Sequence, residues 1–585
     1  MKFLALQLGH NATAAIMEDG CILGVVSQEK FDDVKNSSVF PADAAQALCQ
    51  RQGWNFSDID HILLSSRFIY SPQAFETVTD RACRTQSKNP LRRWGRLLER
   101  GHVGRLFPGI FAQARTRLRA RQRKQGDAYV SENLSACGLG HLPVTRIDHH
   151  LCHARAAYHG FAEPGQSEPA LVFTLDGEGD EISSTVSLVD GKGGWTRLAS
   201  SPVESSLGWI YSATTRFLGM KMLEHEYKVM GLAPYAKSYY LDTYERLFKS
   251  VIDLDPADPM VFRSRLNTAY FYDYLVENAV GERFDNIAAA VQHLIEERVV
   301  AWIRASIART GVRTIYTGGG VFMNVKLNKR IQEMLEVEKV QFLPSCGDES
   351  LPIGALYHFS AEQGMETTPL SNLYLGMAYS DDQIVAFLDQ ENIRDKFSVE
   401  FVPDIDRRVA ELLAQREVVA RFADRCEWGA RSLGNRALLA HPSFMESFYT
   451  VNDQIKARDF WMPFAPSILD THASRYLKGF DPAKNAAEHM ITAYDATETG
   501  VQDLRAALHQ GDHTLRPQVV NQKANPRYYD VISHFAELTG VGALLNTSLN
   551  LHGRPLVATP KQAMFTFENS GLRNLALGSY LVRKI

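Results

Sequence analysis

The sequence predicts an α/β protein made of two successive α/β domains, residues 1–370 and 371–585. Three observations carry this reading. Short β-rich runs open as hairpins at the start of the chain and again near residue 170. Apolar runs end in Gly- or Asp-rich loops that lead into helical stretches. The texture then changes after the loop QGMETTPLSN, and 585 residues exceed what one core organises.

The first hairpin is FLALQLGHN with AAIMED, continued by GCILGVVSQE. The second is ALVFTLDGEGD with SSTVSLVDG. A third cluster runs from RTIYTGGG through helical NVKLNKRIQEML and strand KVQFLP to SCGDESLPIGALYHFSAEQ. Strands that end in such loops before helices place phosphates and metals at their C-terminal ends. By analogy, two openings of this kind suit a duplicated actin/sugar-kinase-like (ASKHA) ATPase fold, although no repeat is visible as sequence identity. The second region holds REVVARFADR, a Gly/Arg loop, DFWMPFAPSIL, then GVGALLNTSLNLHGRPLV and LALGSYLVRKI. This is a separate α/β domain with its own anion site.

Composition narrows the function classes. The chain is 45% hydrophobic and 22% charged, with net charge −4 and pI near 6.5. Neither nucleic acid nor an acidic membrane is the default partner of such a chain. No apolar run approaches the ~18 residues of a membrane helix. The N-terminus breaks at His10 and Asn11 and reads as strand and loop, not a signal peptide. Seven cysteines without a C-x-x-C pair indicate neither a disulfide framework nor a zinc ribbon, so a reduced cytoplasmic enzyme is expected. Between Arg81 and Lys124, fourteen Lys/Arg face the single acid Glu99. Amphipathic surface helices, a funnel for anionic substrates and an RNA footprint are the alternatives for this stretch.

Three constellations carry chemistry. His149 and His153, four apart in HHLCHARAAYHGF, share a helix face and can aim at one ion. Asp176 after the strand LVFTL and Asp348 in CGDES are the carboxylates that could complete it; mixed N/O donors suit Fe, Mn or Zn. The plain alternative is a pair of helix-packing histidines, while His150 in the glutamate position excludes an H-E-x-x-H protease. Glycine-rich loops at Gly9, at Gly177 and Gly179, and at Gly318, Gly319 and Gly320 follow apolar strands and suit a nucleotide, without a Walker A pattern. In the second region, Arg431, Arg436, Lys456, Arg458 and Arg516 gather with Asn546, Thr547 and Ser548. A buried arginine needs an anion, either a ligand or a protein acid such as Glu427 or Asp459.

Taken together, the segments GHNATAAI, DHHLCHA, TLDGEGD, LGWIYSATTRFLGM, EYKVMGLAPY, GGGVFMN, CGDESLPIGA, EWGARSLGNRALLAHP, IKARDFWMPFAPSIL and LLNTSLN resemble the O-carbamoyltransferases of the NodU/CmcH type. They span nearly the whole chain in the family's order. The resemblance implies an ASKHA-fold N-terminal domain and a YrdC-like C-terminal domain. In the latter, carbamoyl phosphate and ATP (with Mg2+) give carbamoyl-adenylate. The carbamoyl group then passes to a hydroxyl of a small-molecule natural product at the metal-containing N-terminal site. His149, His153, Asp176 and Asp348 would hold a divalent metal, Fe2+ first, with Mn2+ or Zn2+ as alternatives. His10 and Lys35 would serve the transfer, and Gly318, Gly319, Asn324 and Lys228 the nucleotide. Arg431, Arg436, Lys456, Arg458, Arg516, Asn546 and Ser548 would bind carbamoyl phosphate.

There are departures from the family pattern. Its G-P-R-A-L-G is GARSLG here, its K-H-D is Lys35-Asn36-Ser37, and its D-G-T-x-R is Asp512-His513-Thr514-Leu515-Arg516. Rival readings are transfer to a tRNA nucleoside or a protein thiol, a sugar kinase, or a catalytically silent nucleotide-binding scaffold. The acceptor stays open, as does the oligomeric state, a homodimer included.

Overall fold

A computed structural model describes residues 1–71, 108–163, 165–482 and 487–584, with side chains of 108–119 left out. Strands β1 (Lys2–Gln7), β2 (Thr13–Glu18), β3 (Cys21–Ser27), β4 (His61–Leu64) and β5 (Val144–Arg146) form one sheet in the order β3-β2-β1-β4-β5. The hairpin pairs β1-β2 and β2-β3 are antiparallel, whereas β4 joins β1, and β5 joins β4, in parallel. A second sheet contains β6 (Ala170–Gly179), β7 (Ile182–Val189) and β8 (Trp195–Pro202). After the ribbon of β9 (Ile252–Leu254) and β10 (Phe262–Ser264), it adds β11 (Thr314–Gly318) and β12 (Lys339–Phe342). Its order, β12-β11-β6-β7-β8, and its strand directions match the first sheet strand for strand. The duplication of the actin/sugar-kinase-like class is therefore present in topology. The central strands β1 and β6 are buried apolar runs because helices cover them.

Two helices form the layer between the sheets. His149–Phe161 lies on β6 and β11, Leu351–Glu362 lies on β1, β2 and β4, and the helices pack on each other. Gly354 permits that crossing, since a Cβ there would stand 1.7 Å from the Cys152 carbonyl oxygen. The approach brings the loop after β1, the start of one helix and the loop before the other to a common point.

The C-terminal part adds β13 (Ser398–Phe401), β14 (Val419–Phe422), β15 (Arg436–Ala440), β16 (Ala465–Leu469), β17 (Tyr494–Asp495) and β18 (Thr514–Leu515). It continues with β19 (Gln518–Val520), β20 (Ala543–Ser548), β21 (Asn574–Leu577) and β22 (Tyr580–Arg583). Eight of these make a mixed sheet, β13-β22-β21-β14-β15-β20-β16-β19, while β17 and β18 pair apart from it. Apolar clusters around Phe535 and Phe567 line it. Bonds cross between the two parts of the chain: Arg425 donates to the Leu23 carbonyl at 2.9 Å, and Arg554 pairs with Asp33 at 2.5 Å.

Of the basic stretch 81–124, residues 81–107 lie outside the described residues, and from 108 the chain is helical to Ala136. Within that helix Arg123 pairs with Glu181 at 2.9 Å and lies over the Phe68 ring. No described helix is long and apolar enough to cross a membrane.

Candidate active site

Asp148 caps the helix His149–Phe161 by accepting from the Leu151 N–H at 2.9 Å. One turn then sets the His149 and His153 rings 4.8 Å apart. Asp176 stands at the end of the buried half of β6, and Asp348 in the loop before Leu351–Glu362. His153 Nε2 is 3.1 Å from Asp176 Oδ2 and 3.7 Å from Asp348 Oδ1; the His149 distances are 3.4 and 3.7 Å. All four ligand atoms lie within 4.8 Å of one another. The far side of each group is held as well. Ser66 Oγ meets His149 Nδ1 and Ser350 Oγ meets His153 Nδ1, both at 3.2 Å. The Gly177 N–H and the Gln7 amide donate to Asp176 and Asp348. Such outer contacts fix ligand orientation.

Burial opposes charge on His149, but Asp348 and Asp176 outweigh it and raise its pKa to about 9. Burial likewise opposes charge on Asp176, yet its bonds to His149 and His153 hold it well below the usual carboxylate range. Two nitrogens and two carboxylate oxygens aimed at one point fit a divalent first-row cation in place of those protons. His150 faces the other way, bonded to Thr174 Oγ1 at 2.8 Å and the Ile182 carbonyl at 3.0 Å, and burial drops its pKa to about 3. It is a core histidine.

A cavity of about 400 Å³ runs from this cluster to the C-terminal part. His10, Lys35, Asp176, Asp348, Gly320 and Asn324 line it together with Arg431, Lys456, Arg458, Arg516 and Ser548, and Lys35 is close enough to Lys456 to repel it. Lys35 is 3.4 Å from Glu224, with its ammonium 5.9 Å from the Tyr227 ring centre. Asn324 caps the Leu327 N–H and exchanges two bonds with Gln292.

The arginine group is the more unusual. Both candidate acids are occupied elsewhere. Glu427 accepts from the backbone N–H groups of Leu433, Asn435 and Arg436, and Asp459 pairs with Lys228 at 3.0 Å. Arg431 and Arg516 each keep a buried Nε without a partner. Burial, then the charges of Arg431 and Arg458, push the Arg516 pKa far down. Among the described residues none of these three arginines pairs with a carboxylate. Lys456 donates to the carbonyls of Ser548 (2.5 Å) and Asn550 (3.0 Å), and burial with Arg458 drives its pKa far down too. Positive groups that lack an ion-paired carboxylate suit an anion.

Other expected residues lie outside the cavity. Arg436 is fully buried, donates to the carbonyls of Ala423, Asn435 and Asp424, and covers the Phe422 ring at 3.7 Å. Asn546 ties Ser432 and Ser467 together. Lys228 is held by Asp459. Gly318 and Gly319 allow the end of β11 to pass His153 and Leu175, where a Cβ would come within 2.9 and 2.5 Å of carbonyl oxygens. Cavity residues that sequence reasoning passed over are Glu226, Tyr227, Glu349, Asn550 and His552. All five lie inside segments already quoted, but no role was assigned to any of them.

The structure thus joins a duplicated α/β half, with a His/Asp cluster that could hold a metal ion, to arginines that have no carboxylate ion-pair partner among the described residues, along one cavity. The chain matches the family models "Carbamoyltransferase N-terminus" over residues 2–357 and "Carbamoyltransferase C-terminus" over residues 410–584, and it belongs to the carbamoyltransferase family. Among its relatives is Nodulation protein NolNO of Sinorhizobium fredii, 28% identical over 98% of this chain and 79% of that one. Nodulation protein NolO of Bradyrhizobium diazoefficiens is 32% identical over 75% and 79%. Nodulation protein U of Rhizobium tropici is 23% identical over 95% and 92%. The solved full-length HypF structure in its phosphate- and nucleotide-bound form is 12% identical, covers 63% of this chain and 56% of that one, and has a TM-score of 0.35, too low to carry an argument.

Proposed function

We propose that this enzyme is an ATP-dependent O-carbamoyltransferase with its labour divided between residues 1–370 and 371–585. The observation that carries the reading is the single cavity joining the His/Asp cluster to the arginine pocket. In the YrdC-like C-terminal domain, Arg431, Arg458 and Arg516 would bind the phosphate of carbamoyl phosphate through charge-assisted forks. Carbamoyl phosphate, ATP and water would yield carbamoyl-adenylate with release of phosphate and pyrophosphate. The intermediate would then need only to move within one cavity, which shortens its exposure to water. In that cavity His10 would accept the proton of the acceptor hydroxyl as it attacks the carbamoyl carbon, and Lys35 would meet the substrate's negative charge. A divalent metal held by His149, His153, Asp176 and Asp348 would supply charge stabilisation at the developing anion. Gly320 and Asn324 line the cavity where the nucleotide would lie. The same reading places the enzyme in the cytoplasm with a small hydroxylated natural product as acceptor, Fe2+ as first choice of metal, and no nucleic acid.

The test is incubation with labelled carbamoyl phosphate, ATP and a panel of hydroxylated natural products, with products identified by mass. The reading requires a product heavier by one carbamoyl group, formed only when ATP is present. Carbamoylation that proceeds equally well without ATP would rule it out.

A further inference from the structure

We infer that Glu349 is the positioning residue that sets the register between the metal-ligand loop and the arginine loop; this rests on the function proposed above. Glu349 follows the ligand Asp348, lines the same cavity and is 7% exposed. Its carboxyl group has no Lys or Arg partner among the described residues. It is used instead as a joint. Oε2 accepts from Asn11 Nδ2 at 3.1 Å, which ties down the loop that carries His10. Oε1 accepts from Ser345 Oγ. Ser345 in turn is where the arginine loop lands: a Cβ at Gly429 (φ +100°) would stand 2.4 Å from Ser345 Oγ. Gly347 is similarly constrained, since a Cβ there would lie 2.4 Å from Glu349 Oε2. Arg431 lies two residues beyond Gly429, and Glu427 fixes the other end of that loop through three backbone N–H groups.

One side chain therefore touches, directly or through Ser345, the His10 loop, the Asp348 loop and the loop of Arg431. Close packing transmits such displacements rather than absorbing them. Occupancy of the arginine pocket and of the His/Asp cluster should then be thermodynamically linked, and the link should be reciprocal.

The experiment uses Co2+ and inorganic phosphate as probes on the full chain. Co2+ affinity is read from its visible absorption, with and without saturating phosphate, in the wild type and in Glu349→Gln, Glu349→Ala, Ser345→Ala and Arg516→Ala. The wild type should show a several-fold change in Co2+ affinity on adding phosphate. Glu349→Ala should bind each probe separately but lose that change, Glu349→Gln should keep part of it, and Arg516→Ala should need roughly ten- to a hundredfold more phosphate to show it. Ser345→Ala, which leaves Glu349 in place, should weaken the link and stands in if Glu349→Ala does not fold. An unchanged link in Glu349→Ala or Ser345→Ala overturns the inference, as does no link in a wild type that binds both probes. A response that appears at the same phosphate concentration in Arg516→Ala as in the wild type also overturns it, since phosphate would then be acting on Co2+ directly. A wild type that binds neither probe refutes the proposed function instead.

Discussion

Arg436 is fully buried and Arg516 half-buried, and the structure sets them in opposite surroundings. Arg436 spends its guanidinium on backbone carbonyls, so Arg436→Ala strips several buried acceptors of a donor. Each such loss costs about 1–3 kcal/mol, and a large drop in melting temperature is expected. An unpartnered Nε is common to both, but Arg516 is repelled by Arg431 and Arg458 and has no carboxylate ion-pair partner among the described residues. Arg516→Ala should leave the melting temperature unchanged or higher. Inorganic phosphate should bind roughly ten- to a hundredfold more weakly, the equivalent of one charge-assisted bond of about 1.5–3 kcal/mol. Calorimetry and thermal denaturation on the two variants check the pair, and reversed effects would mean the anion site is elsewhere. This contrast was not legible in the sequence. Arg436 stands in the Gly/Leu-rich run EWGARSLGNRALL and Arg516 in DHTLRPQVV, and neither context says whether the partner is a carbonyl or a ligand, because that depends on the fold. The His149/His153 pair was legible because helical periodicity makes it local. Glu349 was not, because its Asn11 partner lies 338 positions away.

At the scale of elements, the hairpins, the Gly/Asp loops and the helix that bears the histidines were readable from periodicity and turn residues. The equivalence of the two five-stranded sheets was not readable as sequence identity, since topology is preserved by pattern rather than by residue. The helix crossing at Gly354 is a direct test of the layer between the sheets. Gly354→Val pushes side-chain carbons into the Cys152 backbone, and overpacking of this kind costs typically 1–3 kcal/mol or more. Both melting temperature and divalent-metal affinity should fall together, because the helices carry or flank three of the four candidate ligands and the fourth, Asp176, stands on the strand that the first helix covers. A stable variant with intact metal binding would contradict the packing described.

A second element-level consequence concerns pH. His441 is 6% exposed between Phe444 and Phe535, and burial, with Arg416 nearby, lowers its pKa to about 4. The unfolded chain binds that proton at about 6.5, so below that pH the unfolded state takes up more protons. Stability is therefore whole above pH 6.5, falls as the pH drops, and the loss from this group is complete below about 4. Melting curves of His441→Asn should decline less steeply across that window than those of the wild type. Identical slopes would mean the ring is not desolvated as described.

For the whole molecule, the proposed function makes the arrangement two chemistries sharing one cavity. On that proposal the arginines would take the phosphate and the His/Asp cluster would serve the second step. The measurement that tests this division most directly is pyrophosphate–ATP exchange, which needs no acceptor. Enzyme, ATP and labelled pyrophosphate are followed with and without carbamoyl phosphate, in the wild type, His149→Ala and Arg431→Ala. The account predicts exchange that depends on carbamoyl phosphate, survives in His149→Ala and collapses in Arg431→Ala. Exchange that is absent from the wild type, or lost in His149→Ala while its fold is intact, would contradict it.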